Sequence, residues 1–175
     1  FFHIGNSRAE LMVPSFVNEC LKNKGIKSEQ NFIVDDFDEF DKIPEGLGIK
    51  KEDFEQYLGK PLRDVPSPKE GFDSWANYFT NLVTSHLDDF GIKASIISAY
   101  DSYKKGIYDG AVKIILNKSE EVRKLWNEIT NGKKPKGWIP LMVLCENCGK
   151  LNTTKVVAWD GKEIEYTCNQ NSEYA

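Results

Sequence analysis

An α/β fold is predicted by two apolar runs and by what lies between them. Phe32-Ile33-Val34 and Ala94-Ser95-Ile96-Ile97-Ser98-Ala99 are short and rich in β-branched residues, as buried strands are. The long stretches around them repeat their apolar residues at helical spacing. Strands that alternate with helices call for a sheet covered by helices.

The first helical stretch follows the opening residues. Ser7-Arg8-Ala9-Glu10 reads as a capping box, with Leu11, Phe16, Val17, Cys20 and Leu21 as the apolar stripe behind it. Pro14 removes one helical hydrogen bond, so a kink or an irregular turn is expected there, and Gly25 ends the segment. Cys20 is expected in the core. Asp35 and Asp36 follow the first strand at its carboxyl end, the edge where open α/β sheets bind ligands.

From Gly71 the residues Phe72, Trp75, Ala76, Phe79, Leu82, Val83, His86, Leu87 and Phe90 share one helical face, and Gly91 closes it. His86 is thereby expected at the edge of the core, as neither acid nor base. Val112, Ile115, Leu116, Val122, Leu125, Trp126 and Ile129 mark one further long helix before Gly132. Past "NGKKPKGW" the pattern changes to short strands at Leu141 to Leu144, Lys155 to Trp159 and Glu163 to Thr167, the last two joined by an Asp160-Gly161 turn. The expected division is therefore 1–136 and 137–175. Trp75, Trp126 and Trp138 are expected to be core aromatics, and "NGKKPKGW" reads equally as a contact to nucleic-acid phosphate or as an exposed linker.

Composition limits the function. The 175 residues are 40% hydrophobic and 29% charged, with a net charge of -4 that gives no general attraction to nucleic acid and weighs against a DNA-coating protein. No apolar run reaches the roughly 18 residues of a membrane span, and the start has no basic, then apolar, secretion signal. The expected compartment is the cytoplasm. Because the sequence starts at Phe1 with no methionine, it reads as a fragment.

Two constellations carry chemistry. Cys145-Glu146-Asn147-Cys148-Gly149 forms a knuckle and Cys168 follows the hairpin, so three thiolates could converge on one tetrahedral Zn²⁺ as in a zinc ribbon. The fourth ligand stays open, because Cys168-Asn169-Gln170-Asn171 lacks a second cysteine and an amide binds zinc poorly. At the other end, His3, Gly5 and Asn6 sit where a strand would turn into a helix N-terminus, whose free amides favour phosphate. Gly5 would give a nucleotide close approach, and the imidazole and carboxamide could donate to a polyphosphate as charge builds up.

These residues resemble a known family. "HIGN" with Arg8 and Glu10 is similar to the nucleotide-binding signature of class I aminoacyl-tRNA synthetases, in the form found in class I lysyl-tRNA synthetase. "VDDFDEFDKIP", "YLGKPLRDVPSPKEGFDSWANYF", "SAYDSYKKGIYD" and "PLMVLCENCGKLNTTKVVAWDG" match that family in order and spacing, so the resemblance covers essentially the whole chain.

The resemblance implies a Rossmann-type catalytic domain, incomplete here, with an inserted zinc-ribbon module near the acceptor arm of tRNA. It implies lysine activation with ATP and Mg²⁺ to lysyl-adenylate, then transfer to tRNA(Lys). His3 and Asn6 would contact the ATP phosphates, Gly5 would make room for the nucleotide, and Asp35 or Asp36 would touch substrate unless both cap the next helix. Arg8 and Glu10 would form a structural pair. The strand expected before "HIGN" and the later Lys-x-Ser-Lys-Ser loop are absent from these 175 residues, so the fragment alone is expected to catalyse poorly or not at all. Two other readings are a class I synthetase for another amino acid, such as glutamate, and a zinc-binding module without catalysis.

Overall fold

The computed structural model describes residues 6–170. They form two compact units: the residues up to Asp38 with Leu62–Ser102, and Glu39–Pro61 with the residues from Tyr103 on.

The first unit begins in an irregular helix. Ser7–Met12 is a π-helical stretch in which the Val13 amide reaches back to the Arg8 carbonyl, and α1 (Val13–Asn23) follows with Pro14 in its first turn. The proline thus falls where an amide hydrogen is not required, and the wider turn before it takes up the misfit. The expected capping box does not form. Asn6 is the N-cap residue, in helical backbone without a side-chain cap, and its Nδ2 donates to Glu10 Oε1 at 2.9 Å. Glu10 is held by Asn6 rather than paired with Arg8.

The stripe read on α1 is also corrected. Leu11 is buried, but Phe16, Val17 and Cys20 are exposed. The helix buries Asn18 instead, tied to Ser28 Oγ at 2.7 Å, while Gln30 Nε2 donates to the Leu11 carbonyl at 2.9 Å. Helical periodicity identified an apolar face without identifying what would cover it.

β1 (Asn31–Val34) and β2 (Ser95–Ser98) pair in parallel, Phe32 opposite Ile96 and Val34 opposite Ser98. Between them α2 (Trp75–Thr84) starts on Ser74, whose hydroxyl accepts the Asn77 amide at 3.1 Å, the N-cap arrangement serine favours. α2 is shorter than its apolar pattern. The chain leaves the helix after Thr84 and turns through Asp88–Phe90 to Gly91, which takes the left-handed conformation at φ 66°. His86 therefore lies exposed, with Nδ1 3.1 Å from Asp89 Oδ2, and not at a core edge. Trp75, Ala76, Val65, Ile92 and Ala99 are the buried apolar residues of this unit, with Leu11. α3 (Ala99–Lys104) follows β2 without a break.

In the second unit the single long helix expected over Val112 to Ile129 is two: α4 (Asp109–Asn117) and α5 (Ser119–Thr130), interrupted at Lys118, φ -114°. Its amide is shared by the Ile114 and Ile115 carbonyls at 3.1 and 3.2 Å. Ser119-Glu120-Glu121 then start a new helix with acids in the first turn, where they complement the helix dipole. Trp126 is 46% exposed and is no core residue.

Leu141 to Leu144 form no strand. The Val143 carbonyl accepts from the Thr154 hydroxyl at 2.6 Å, a side-chain tie in place of a ladder. β3 (Thr154–Trp159) and β4 (Ile164–Cys168) make the expected antiparallel hairpin, with a bulge between Val156 and Ala158. Asp160 Oδ1 accepts the Lys162 and Glu163 amides at 2.8 and 2.6 Å, and Gly161 takes φ 99°. Phe40, Phe54, Leu116, Cys145, Leu151 and Val156 are buried in this unit. Gly59 is obligatory there: at φ 86° it lies so close to Asn152 that an added Cβ would stand 2.6 Å from its Cγ.

Candidate functional site

Two groups of side chains are brought together, one in each unit. At the carboxyl end of β1, Asp36 is 2% exposed and fully engaged. Its Oδ2 accepts from Ser98 Oγ at 2.6 Å and lies 3.5 Å from Arg63 Nη1; its Oδ1 accepts the Tyr100 amide at 2.7 Å. Ser98 Oγ in turn accepts the Asp101 amide at 2.9 Å, so Ser98 caps α3 and Asp36 satisfies a second amide of the same helix end. The Arg63 amide bonds the Asp36 carbonyl at 2.9 Å, which pins the Leu62–Asp64 turn beside β1.

This arrangement decides the expectation that the two acids cap the helix next in sequence. A turn follows them instead, and Asp36 serves α3 across the strand pair. The Ser98-Ala99-Tyr100-Asp101 signature was open to reading as a helix start; Arg63 and its approach to Asp36 carried no sequence signal.

Asp35 stands at the surface beside this network. Partial burial, then the Asp38 and Asp36 carboxylates, raise its carboxyl above the usual range. The Tyr100 phenol is pushed up as well, by burial first and then by the Asp64 carboxylate that accepts its hydrogen bond. Tyr100 packs edge-on against Phe37, ring centroids 5.1 Å apart. Asp35, Asp36, Asp38 and Asp64 outweigh Arg63, and such an excess of carboxylates favours a cationic group.

In the second unit Cys145, Cys148 and Cys168 converge, their sulfurs all within 4.8 Å of one another. The knuckle is set by backbone: the Cys145 amide donates to the Lys150 carbonyl at 3.0 Å, the Gly149 amide to the Cys145 carbonyl at 2.9 Å, and Gly149 takes φ 67°. The hairpin brings Cys168 to 3.7 Å from Cys148, measured between sulfurs. Buried Thr153, which sequence reading missed, places its hydroxyl 3.3 Å from the Cys148 sulfur and 3.4 Å from that of Cys168.

Burial opposes ionisation of Cys148, but hydrogen bonds from Thr153, the Lys150 backbone, Cys145 and Cys168 outweigh it and bring its pKa down to about 6. At Cys168 the Thr153 hydroxyl favours the thiolate, yet burial and the adjoining Cys145 and Cys148 sulfurs win and push it up. One ionised sulfur supported by its neighbours is a donor set a soft divalent cation can complete, because the ion's charge removes the repulsion among thiolates. Three sulfurs at this spacing could hold a metal ion. Among the described residues no fourth His, Cys, Asp or Glu joins them.

His3 and Gly5 lie outside the described residues. Asn6 is described, in helical backbone and bonded to Glu10. No described helix is long and apolar enough to cross a membrane.

The family model described as tRNA synthetases class I (K) matches residues 1–175. The lysine–tRNA ligase of Methanocaldococcus jannaschii is 37% identical over 168 residues, covering 95% of this chain and 31% of that protein. Lysine–tRNA ligases of Archaeoglobus fulgidus and Methanosphaera stadtmanae are 32% and 30% identical, covering 95% and 98% of this chain and 33% and 32% of theirs. The chain thus spans about a third of the length of these curated relatives. With the match running over every residue, the chain belongs to the class I tRNA synthetases of the lysine type.

Proposed function

We propose that this chain is part of an ATP-dependent lysine–tRNA ligase, which activates lysine to lysyl-adenylate and passes it to tRNA(Lys) in the cytoplasm. The observation that carries this reading is the family match over the full 175 residues, joined by the three lysine–tRNA ligases named above. The parallel β1–β2 pair with acids at its carboxyl end supports a Rossmann-type arrangement.

In this reading His3 and Asn6 hold the ATP phosphates, with Mg²⁺, and stabilise the charge that develops on them. Gly5 leaves room for the nucleotide. Glu10 orients the Asn6 carboxamide through its hydrogen bond. Because every oxygen of Asp36 is engaged internally, Asp36 positions α3 and Asp35 is the carboxylate that meets substrate. Partial burial first, and then the Asp38 and Asp36 carboxylates, raise its pKa, and a lysine ammonium beside it would offset both. Residues 137–175 act as a zinc module: Cys145, Cys148 and Cys168 hold the ion, and Thr153 steadies two of the sulfurs. Zinc there ties the knuckle to the hairpin.

Asp35→Asn in the complete protein tests the substrate assignment. The expected result is a KM for lysine raised by about tenfold or more, with KM for ATP unchanged, since one charge-assisted contact contributes about 1.5–3 kcal/mol. An unchanged KM for lysine would remove Asp35 from the pocket.

A further inference from the structure

The basic "NGKKPKGW" segment is not a loose linker. α5 ends at Asn131, in left-handed backbone at φ 51°, and the chain folds back along the helix. Lys134 is held at both backbone atoms: its carbonyl accepts from Arg123 Nη1 and Asn127 Nδ2, each at 3.0 Å, and its amide donates to Asn127 Oδ1 at 2.8 Å. Arg123 is itself fixed by two bonds to Glu120, 2.7 and 2.6 Å. Gly132 lets the chain pass the indole, since an added Cβ would lie 3.2 Å from Trp126 Cδ1 and Nε1.

This fold-back assembles a cation and two indoles. Lys134 Nζ lies 4.9 Å from the Trp138 ring centroid and 5.8 Å from that of Trp126, and the two rings are 6.0 Å apart. Trp126 remains 46% exposed, and Lys124, Lys133 and Lys136 stand exposed on the same helix and loop. Trp126 thus lies at the surface with the Lys134 ammonium near its ring. Aromatic faces interleaved with lysines are what single-stranded RNA requires: a π-face for an unstacked base and positive charge for the phosphates on either side.

We propose that Trp126, Trp138 and Lys134, flanked by Lys133 and Lys136, form a platform that binds a single-stranded segment of the tRNA substrate. Trp126 stacks a base, Trp138 and Lys134 back it, and the outer lysines neutralise phosphates. The overall charge of -4 makes the placement selective, because the rest of the chain does not attract RNA indiscriminately. The proposal rests on the ligase reading, which supplies the RNA.

The test uses the complete protein and a fluorescently labelled tRNA(Lys) transcript, with affinity followed by anisotropy over a range of salt. Trp126→Ala is expected to weaken binding about tenfold or more, the effect of losing one stacked base, and Trp126→Phe to restore most of it. The Lys133→Ala/Lys136→Ala pair is expected to flatten the dependence of log K on log salt by about 1.4, two single-strand phosphate contacts. Melting temperature is measured alongside; should Trp126→Ala melt early, the phenylalanine and lysine variants carry the comparison. Folded variants that bind like the wild type with an unchanged salt slope would overturn the platform, as would an acidic peptide that competes as well as RNA. Lysine-dependent pyrophosphate exchange on the same preparations separates the two claims. Its absence from the wild type strikes the ligase reading, whereas wild-type exchange with unaltered variant binding strikes the platform alone.

Discussion

Cys148→Ser is expected to empty the zinc site proposed at the three cysteines. A serine hydroxyl does not ionise near neutrality, so the cluster loses the one sulfur that its surroundings bring down to a pKa of about 6. Zinc measured by elemental analysis should fall from one per chain to under about a tenth, the affinity of structural sites depending on every ligand. The consequence for folding should be large. Structural zinc contributes about 10–16 kcal/mol in small zinc-dependent peptides, and although this unit has apolar residues of its own, the sulfurs join Cys145 to Cys168 across the base of the hairpin. Chelation of the wild type should reproduce the lower melting temperature of the variant. One zinc per chain in Cys148→Ser, or none in the wild type, would contradict the assignment.

The second large effect is expected from Asp36→Ala. This change takes the acceptor from the Ser98 hydroxyl and the Tyr100 amide at a nearly closed site, and the partner from Arg63, whose side chain is 34% exposed. Leaving a buried donor unsatisfied costs about 1–3 kcal/mol, against less than about 0.5 kcal/mol for most surface substitutions. Urea unfolding should therefore show a midpoint far below that of Asp35→Asn, whose carboxylate is at the surface. Equal midpoints for the two would mean that Asp36 does not organise the α3 end.

Legibility in the sequence followed the range of the forces involved. Local chemistry was readable: the helix at Trp75, the Asp160-Gly161 turn, and the strands at Phe32 and Ser95 each rest on a few neighbouring residues. The convergence of Cys145, Cys148 and Cys168 was readable because a knuckle and a hairpin leave few other geometries. Tertiary choices were not. Periodicity marked Phe16, Cys20, His86 and Trp126 as apolar-face residues, yet all are exposed, since a pattern names a face and not its cover. The break at Lys118 had no proline or glycine to announce it. Asp35 and Asp36 look alike in a row of acids, and only the pairing of β1 with β2 brings Ser98 and Tyr100 to one of them.

The most direct measurement is ATP–pyrophosphate exchange by the complete protein, with each amino acid added separately and tRNA(Lys) present. The ligase account predicts exchange with lysine, none above background with glutamate, and a loss of about 100-fold or more in His3→Ala, the scale on which one donor to developing charge contributes to rate. Exchange driven by a different amino acid, or by lysine at an undiminished rate in His3→Ala, would contradict it.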